Sequence, residues 1–368
     1  MHFSHSVSDL SLRFSLFVVL GITFFTLLLS ECITIYAITN GTGFTQHLNL
    51  SSGSLTLTQW KTDIDGIAAT GLTSPWIRLP LNDVDTFPRT NLNSSTIDCN
   101  TLTPTNCNPA NINQYDQAIN YAISKNIKVY LVTNVPSWAK LYSNPAQPWE
   151  TKYTTSQYLT ITNQFYNILA TKWSAKVDVW QIFNEANIHI FDSYAPLTST
   201  PSSYMNLLKQ VINTAKTTIK STSASEIITT NAGGYPFNNN LYSKWILYFN
   251  QLHQHLDQIS IDAYPDTNPS EIANLSTRIQ NLITTYNKPV NVTEIGMCTD
   301  IVRFTAVDQA NYIPQYIQQS RNGGANLIFV YQYQDNDQLS APCENAFGIV
   351  NSAGAQKPSY QAVMNAII

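Results

Sequence analysis

From about residue 43 to the C terminus one rhythm runs through the chain: a short apolar run, then a longer amphipathic stretch. The apolar runs lie at 76–79, 127–132, 177–183, 227–230, 259–261, 290–293 and 327–331, with a first strand within 43–48. Helical spacing fills the intervals. Trp60, Ile64, Ile67 and Ala68 share one helix face, as do Tyr204, Leu207, Leu208, Val211 and Ile212 behind Pro201. Ile272, Leu275, Ile279, Leu282 and Ile283 repeat the pattern behind Pro269, and 306–318 and 356–367 supply the last two helices. Strands that alternate with helices this regularly form βαβ units around a parallel sheet. Eight units in about 325 residues predict the α/β class as a single closed (β/α)8 TIM barrel, spanning 38–368. An open doubly wound sheet would need a glycine-rich phosphate turn after its first strand, and Gly41-Thr42-Gly43 is too short for one.

The N-terminal segment stands apart. Residues 12–30 are almost wholly apolar and 19 long, enough to span a bilayer or to serve as the core of an export signal with cleavage near Ala37. Residues 1–37 are therefore expected to be a signal peptide or a signal anchor. The protein should be secreted, or extracellular and held at a membrane through 12–30; the mass of the mature protein decides between them. Cys32 lies in that segment, which leaves Cys99, Cys107, Cys298 and Cys343. Four cysteines in an exported chain predict two disulfides, with three connectivities open; Cys99 with Cys107 and Cys298 with Cys343 is the favoured pairing. Zinc is the weaker reading, for want of a Cys-x-x-Cys or a nearby His pair.

Charged residues make up only 11% and the net charge is −4, so a polyanion surface is not on offer and no nucleic-acid partner is expected. So few charges also predict a stability that depends weakly on pH. Glycosylation sequons begin at Asn40, Asn49, Asn93, Asn274 and Asn291; Asn291 falls in a strand run and is expected to stay unmodified.

In a barrel the C-terminal strand ends share one face, where chemistry is done. Those ends carry Arg78, Asn134, Asn184 with Glu185, Tyr264, Glu294, and Tyr331 with Gln332. The chain has only seven glutamates, yet two of them, Glu185 and Glu294, close apolar runs 109 residues apart. Glutamate is a poor strand former, so its placement there argues for chemistry. Two carboxyls across a pocket can cleave a glycosidic bond: one protonates the leaving oxygen, the other attacks the anomeric carbon, and in retaining enzymes they stand about 5–5.5 Å apart. Arg78 can hold Glu294 ionised through a charge-assisted hydrogen bond, and Tyr264 can add a second. Asn184 is placed to hold a sugar hydroxyl, and Trp138 and Tyr331 to stack on sugar faces. His253 and His255 lie on a helix and read as outer surface, while Asp262 has two readings, entry into the site or a bond to a neighbouring loop.

Val179-Trp180-Gln181-Ile182-Phe183-Asn184-Glu185-Ala186-Asn187 and Val290-Asn291-Val292-Thr293-Glu294-Ile295-Gly296-Met297 resemble the retaining clan A glycoside hydrolases, of the cellulase-like family 5 and family 39 type. Trp76-Ile77-Arg78-Leu79 resembles their strand 2 arginine motif and Asp262-Ala263-Tyr264-Pro265 their strand 6 tyrosine motif. The resemblance spans the chain after residue 40. It implies Glu185 as acid/base, Glu294 as nucleophile, a β-linked carbohydrate substrate, no cofactor and no metal; a monomer is expected. Three departures bear on family and substrate: Asp262 stands where many members have His, Tyr331-Gln332-Tyr333 where many have Trp, and Ala186 where several have Pro. A cell-surface transglycosylase or a catalytically silent carbohydrate-binding barrel are the alternatives.

Overall fold

A computed structural model describes residues 41–48, 50, 56–90, 96–101, 104–136, 153–187, 203–234, 239–265, 267–299, 304–336 and 343–368. The apolar segment 12–30, its cleavage point and Trp138 lie outside the described residues, and no described helix is long and apolar enough to cross a membrane.

The strands are β1 Gly41–Thr45, β2 Pro75–Pro80, β3 Lys128–Thr133, β4 Val179–Ile182, β5 in two halves Ile227–Thr229 and Asn231–Ala232, β6 Ile259–Asp262, β7 Val290–Ile295 and β8 Leu327–Tyr331. Every ladder is parallel. The sheet begins at the first half of β5, runs through β4, β3, β2, β1, β8, β7 and β6, and ends at the second half of β5. Only Thr230 separates the two halves, so the chain itself closes the ring. The long helices are α1 Leu57–Ala68, α2 Pro109–Ser124, α3 Thr155–Trp173, α4 Ser203–Thr222, α5 Asn239–Leu252, α6 Pro269–Tyr286, α7 Ala306–Asn322 and α8 Ser359–Ile367. Each strand is followed by one of them, which is the (β/α)8 barrel expected.

Local chemistry sets the helix starts. Thr154 and Gln157 form a capping box on α3, Thr305 and Asp308 another on α7, and Asn108 and Asn268 cap α2 and α6 ahead of Pro109 and Pro269. His253 and His255 sit in a short 3-10 turn after α5, where His253 Nδ1 meets the Phe249 carbonyl at 2.9 Å.

Alternation along the strands sorts side chains between two cores. Ile77, Leu79, Val129, Leu131, Trp180 and Ile182 join the helices in the large outer core. Trp76, Tyr130, Val132, Val179, Leu327 and Phe329 form a second, separate cluster inside the ring. Trp76 fits there because β1 offers no side chain against it: a Cβ on Gly41 would stand 2.3 Å from its Nε1. One step further toward the C-terminal ends, the next residues in register turn polar: Arg78 after Trp76, Gln181 after Val179, Thr229 after Ile227. The barrel thus plugs its lower part with apolar groups and opens a polar floor at the top. Asn291 is wholly buried and bonds Gln258, Ser260 and Asn326, which leaves no room for a glycan on its sequon.

Candidate active site

The polar floor is built around Arg78, which is 1% exposed. Nη1 donates to Glu294 Oε1 at 2.6 Å and Nη2 to Asn184 Oδ1 at 2.7 Å; Gln181 and Thr45 lie further off at 3.4 and 3.5 Å. Burial alone would weaken the guanidinium's hold on its proton, but the Glu294 carboxylate beside it acts the other way, and Arg78 is held above its ordinary range.

Glu294 is 7% exposed and anchored at both oxygens, Oε1 by Arg78 and Oε2 by the Tyr264 hydroxyl at 2.5 Å. Its pKa is raised: burial acts first, Arg78 pulls it back, and Glu185 pushes it up again, with the bonds from Tyr264 and Arg78 acting against the rise. The strand carries it there through an irregularity. Val292 pairs with Ile261 and Ile328, but the next partners are Glu294 with Asp262 and Ile295 with Val330, so β7 holds one residue too many. This bulge brings both Thr293 and Glu294 to bear on site groups, where strict alternation would turn one of them away.

At the end of β4 the backbone turns sharply. Phe183 and Glu185 take positive φ values of 64° and 47°, conformations that side chains rarely adopt and that cluster where a site must aim a group. The neighbouring strands hold the turn. Asn134 Oδ1 accepts from the Asn184 amide at 3.0 Å and Asn231 Oδ1 from the Glu185 amide at 2.7 Å. Gly233 then lets the Glu185 side chain through: a Cβ there would stand 1.9 Å from Glu185 Oε1.

Tyr331 is 8% exposed at the end of β8; its hydroxyl lies 3.3 Å from His47 Nε2 and its ring packs edge-on against Phe347 at 5.3 Å. Phe347 also meets Tyr264 at 5.8 Å. Cys298 bonds Cys343, joining the loop after β7 to the loop after β8 beside these rings, and Cys99 bonds Cys107 in the long loop after β2. His47 is held to about 4 by burial and by the charge of Arg78, and is therefore neutral above that.

The structure thus brings Arg78, Asn134, Asn184, Glu185, Tyr264 and Glu294 into one bonded network, with Tyr331 beside it. Sequence reasoning missed Asn231, His47, Gly233 and Phe347. Asn231 and His47 stand at the ends of strands 5 and 1, the two whose ends were not read. Of the two readings of Asp262, the structure supports entry into the site, where it contacts Asn231 and Thr293. Gly233 and Phe347 lie in loops and carried no signal.

No curated protein sequence matches the chain. Among solved structures it resembles the β-glucosidase of the hyperthermophile Pyrococcus furiosus (TM-score 0.68, 13% identity, covering 89% of this chain and 95% of that one). It also resembles the β-glycosidase of Thermosphaera aggregans (TM-score 0.67, 12% identity, 89% and 95%) and a family 39 glycoside hydrolase from Bacteroides cellulosilyticus (TM-score 0.61, 18% identity, 89% and 63%). At these identities the likeness speaks for the fold. The family model of Glycosyl hydrolase family 53 matches residues 140–328, just over half of the chain, a stretch that includes β4 to β7. The chain is a clan A glycoside hydrolase and belongs to glycosyl hydrolase family 53.

Proposed function

We propose that the protein hydrolyses O-glycosidic bonds of a β-linked polysaccharide with retention, Glu294 acting as nucleophile and Glu185 as acid/base. The observation that carries this reading is the double anchor on Glu294. Arg78 and Tyr264 each bind one carboxylate oxygen, which orients the group and favours its ionised form against the pull of burial. In the first step an oxygen of Glu294 bonds to the anomeric carbon, the glycosidic bond breaks, and Glu185 gives its proton to the departing oxygen. In the second, Glu185 takes a proton from water, the hydroxide oxygen bonds to the anomeric carbon, and the ester to Glu294 breaks. Asn184 Oδ1 already accepts from Arg78, Gln181 and Asn231, so its Nδ2 is the end that serves a sugar hydroxyl. Tyr331 and Phe347 supply ring faces and edges to the sugar.

Family 53 is a β-1,4-galactanase family, so β-1,4-galactan heads the substrate panel, ahead of xylan, mannan and glucan. Turnover of one of these with retained anomeric configuration is expected. Glu294→Ala should lose activity by several orders of magnitude. Glu185→Ala should lose about 10²–10⁴-fold on unactivated substrate. Full turnover in Glu294→Ala would reject the mechanism, and turnover of none of the glycans would favour a silent binding barrel.

A further inference from the structure

Asp262 ends β6 with no solvent exposure. It pairs in register with Glu294 across the bulge. The charged groups that face it are Glu294 on β7, Glu185 after β4 and Arg78 on β2, together with the phenols of Tyr130 on β3 and Tyr264 after β6. Arg78 gives its close bonds to Glu294 and Asn184. Asp262 is held instead by neutral groups. Its Oδ2 accepts from Asn231 Nδ2 at 2.5 Å, and its Oδ1 lies 2.5 Å from Thr293 Oγ1.

A proton on Asp262 is compatible with each of these contacts. Thr293 has one hydroxyl proton, and its Oγ1 lies both 2.5 Å from Asp262 Oδ1 and 3.2 Å from the Ile261 carbonyl, which can only accept. With a proton on Asp262 Oδ1 every contact is served: Asp262 donates to Thr293, and Thr293 donates to Ile261. An ionised Asp262 would be a buried charge held only by neutral groups, and would set a second negative charge beside Glu294, its register partner. Burial and the charges of Glu294 and Glu185 act the same way, raising its ionisation well above the ordinary carboxylate range.

Asn231 passes this on. The amide that Asp262 grips also reaches Asn184 Oδ1 at 3.1 Å, and the same side chain's Oδ1 takes the Glu185 N–H at 2.7 Å. We propose that Asp262 is a positioning residue that works as a proton-bearing acid: it clamps Asn231, and Asn231 fixes the turn that aims Glu185 at the leaving oxygen. By staying neutral it also leaves the charge of Arg78 to Glu294. The inference rests on the acid/base reading of Glu185, and the test separates the two.

The probes are the phenyl and 2,4-dinitrophenyl β-galactosides, or those of the sugar that the glycan panel selects. The phenyl leaving group needs protonation and the dinitrophenyl group does not, so kcat/KM on the pair isolates help from the acid. Asp262→Ala and Asn231→Ala should each lose about 10²-fold on the phenyl glycoside, the cost of a misplaced group, and less than about tenfold on the activated one. The double variant should lose no more than the worse single, since both act through one chain of contacts. Asp262→Asn reproduces both bonds without charge and should restore what Asp262→Ala loses. The protonated-carboxyl band in the infrared spectrum should lose one carboxyl's intensity in Asp262→Asn, while Asp63→Asn leaves the Asp262 contribution in place. If Asp262→Asn falls as far as Asp262→Ala, or Asp262→Ala loses equally on both probes, or the band is unchanged in Asp262→Asn, the inference is overturned. Glu185→Ala is the control. If it does not spare the activated probe, the acid/base reading itself fails; if it does and Asp262→Ala does not, only the inference about Asp262 fails.

Discussion

Gly233 lies beside Glu185 with its backbone tied down on both sides. Its N–H donates to Asn187 Oδ1 at 2.9 Å, and its carbonyl accepts from Asn187 Nδ2 at 3.0 Å and Trp245 Nε1 at 3.1 Å. A methyl group added here meets the far end of the Glu185 side chain first, so the side chain yields before the backbone does. Gly233→Ala should therefore swing Glu185 out of place while the barrel stands. The expected loss in kcat is roughly 10- to 100-fold, the scale for a displacement of about 1 Å, with a stability change under about 1 kcal/mol. Thermal unfolding and kinetics on the same preparation check it: a fall in Tm that tracks the activity, or unchanged activity, would contradict the steric account. Glu185, Glu294, Arg78 and Tyr264 were legible because scarce or chemically distinctive residue types end apolar runs. Asn231 and Gly233 were not, because they act on other side chains, and Asn recurs throughout the chain.

Among the elements, the strands were legible to within a few residues because each buries an apolar run; the helices were legible as intervals between them, and those at Pro109–Ser124 and Thr155–Trp173 were given no bounds. The bulge in β7 was not: period 2 assigns Thr293 and Glu294 to opposite faces, and only the pairing with β6 and β8 shows the extra residue. The break at Thr230 in β5 was hidden for the same reason. Loops were legible only through their cysteines. The Cys298–Cys343 bond closes 45 residues and joins two loops at the top of the barrel; Phe347, four residues beyond Cys343, depends on that loop for its place against Tyr331 and Tyr264. Gln309 on α7 adds a second tether by donating to the carbonyls of Met297, Phe347 and Gly348. Replacing Cys298 and Cys343 together by Ser should lower stability by up to roughly 4 kcal/mol by loop-closure entropy. It should raise KM for the polysaccharide by about two- to tenfold, the worth of one loosened aromatic contact, and leave kcat nearly unchanged because Gln309 still holds the loop. A kcat loss equal to the KM effect would place the disulfide in the chemistry rather than in substrate binding.

For the molecule as a whole, the low charge content predicts weak dependence on pH, and the structure revises that expectation because several of the few titrating groups are buried. Asp63 on α1 is 3% exposed, bonded by Gln46 at 3.0 Å and Gln59 at 3.2 Å, and burial lifts it from 3.8 to about 7. Glu294 and Asp262 are shifted in the same direction. A carboxyl raised on folding binds its proton more tightly in the folded state. Its contribution is complete below the unfolded pKa and is lost as pH climbs through the folded one, so stability should fall between about pH 4 and 8. Asp257 runs the other way: burial opposes its charge, but Lys216 and Lys220 prevail and hold it below its ordinary value, so what it adds is lost only in acid. The two together place the optimum on the acid side of neutrality. At about 1.4 kcal/mol per pKa unit, Asp63 alone accounts for up to roughly 4 kcal/mol of the decline. Asp63→Asn removes the ionisation and keeps a neutral polar group between Gln46 and Gln59. Calorimetric Tm values across pH 5 to 8 should therefore slope less steeply in the variant than in the wild type, with the curves separating most at the alkaline end. Parallel curves would show that Asp63 keeps its ordinary ionisation despite burial, and the decline would then belong to the active-site carboxyls.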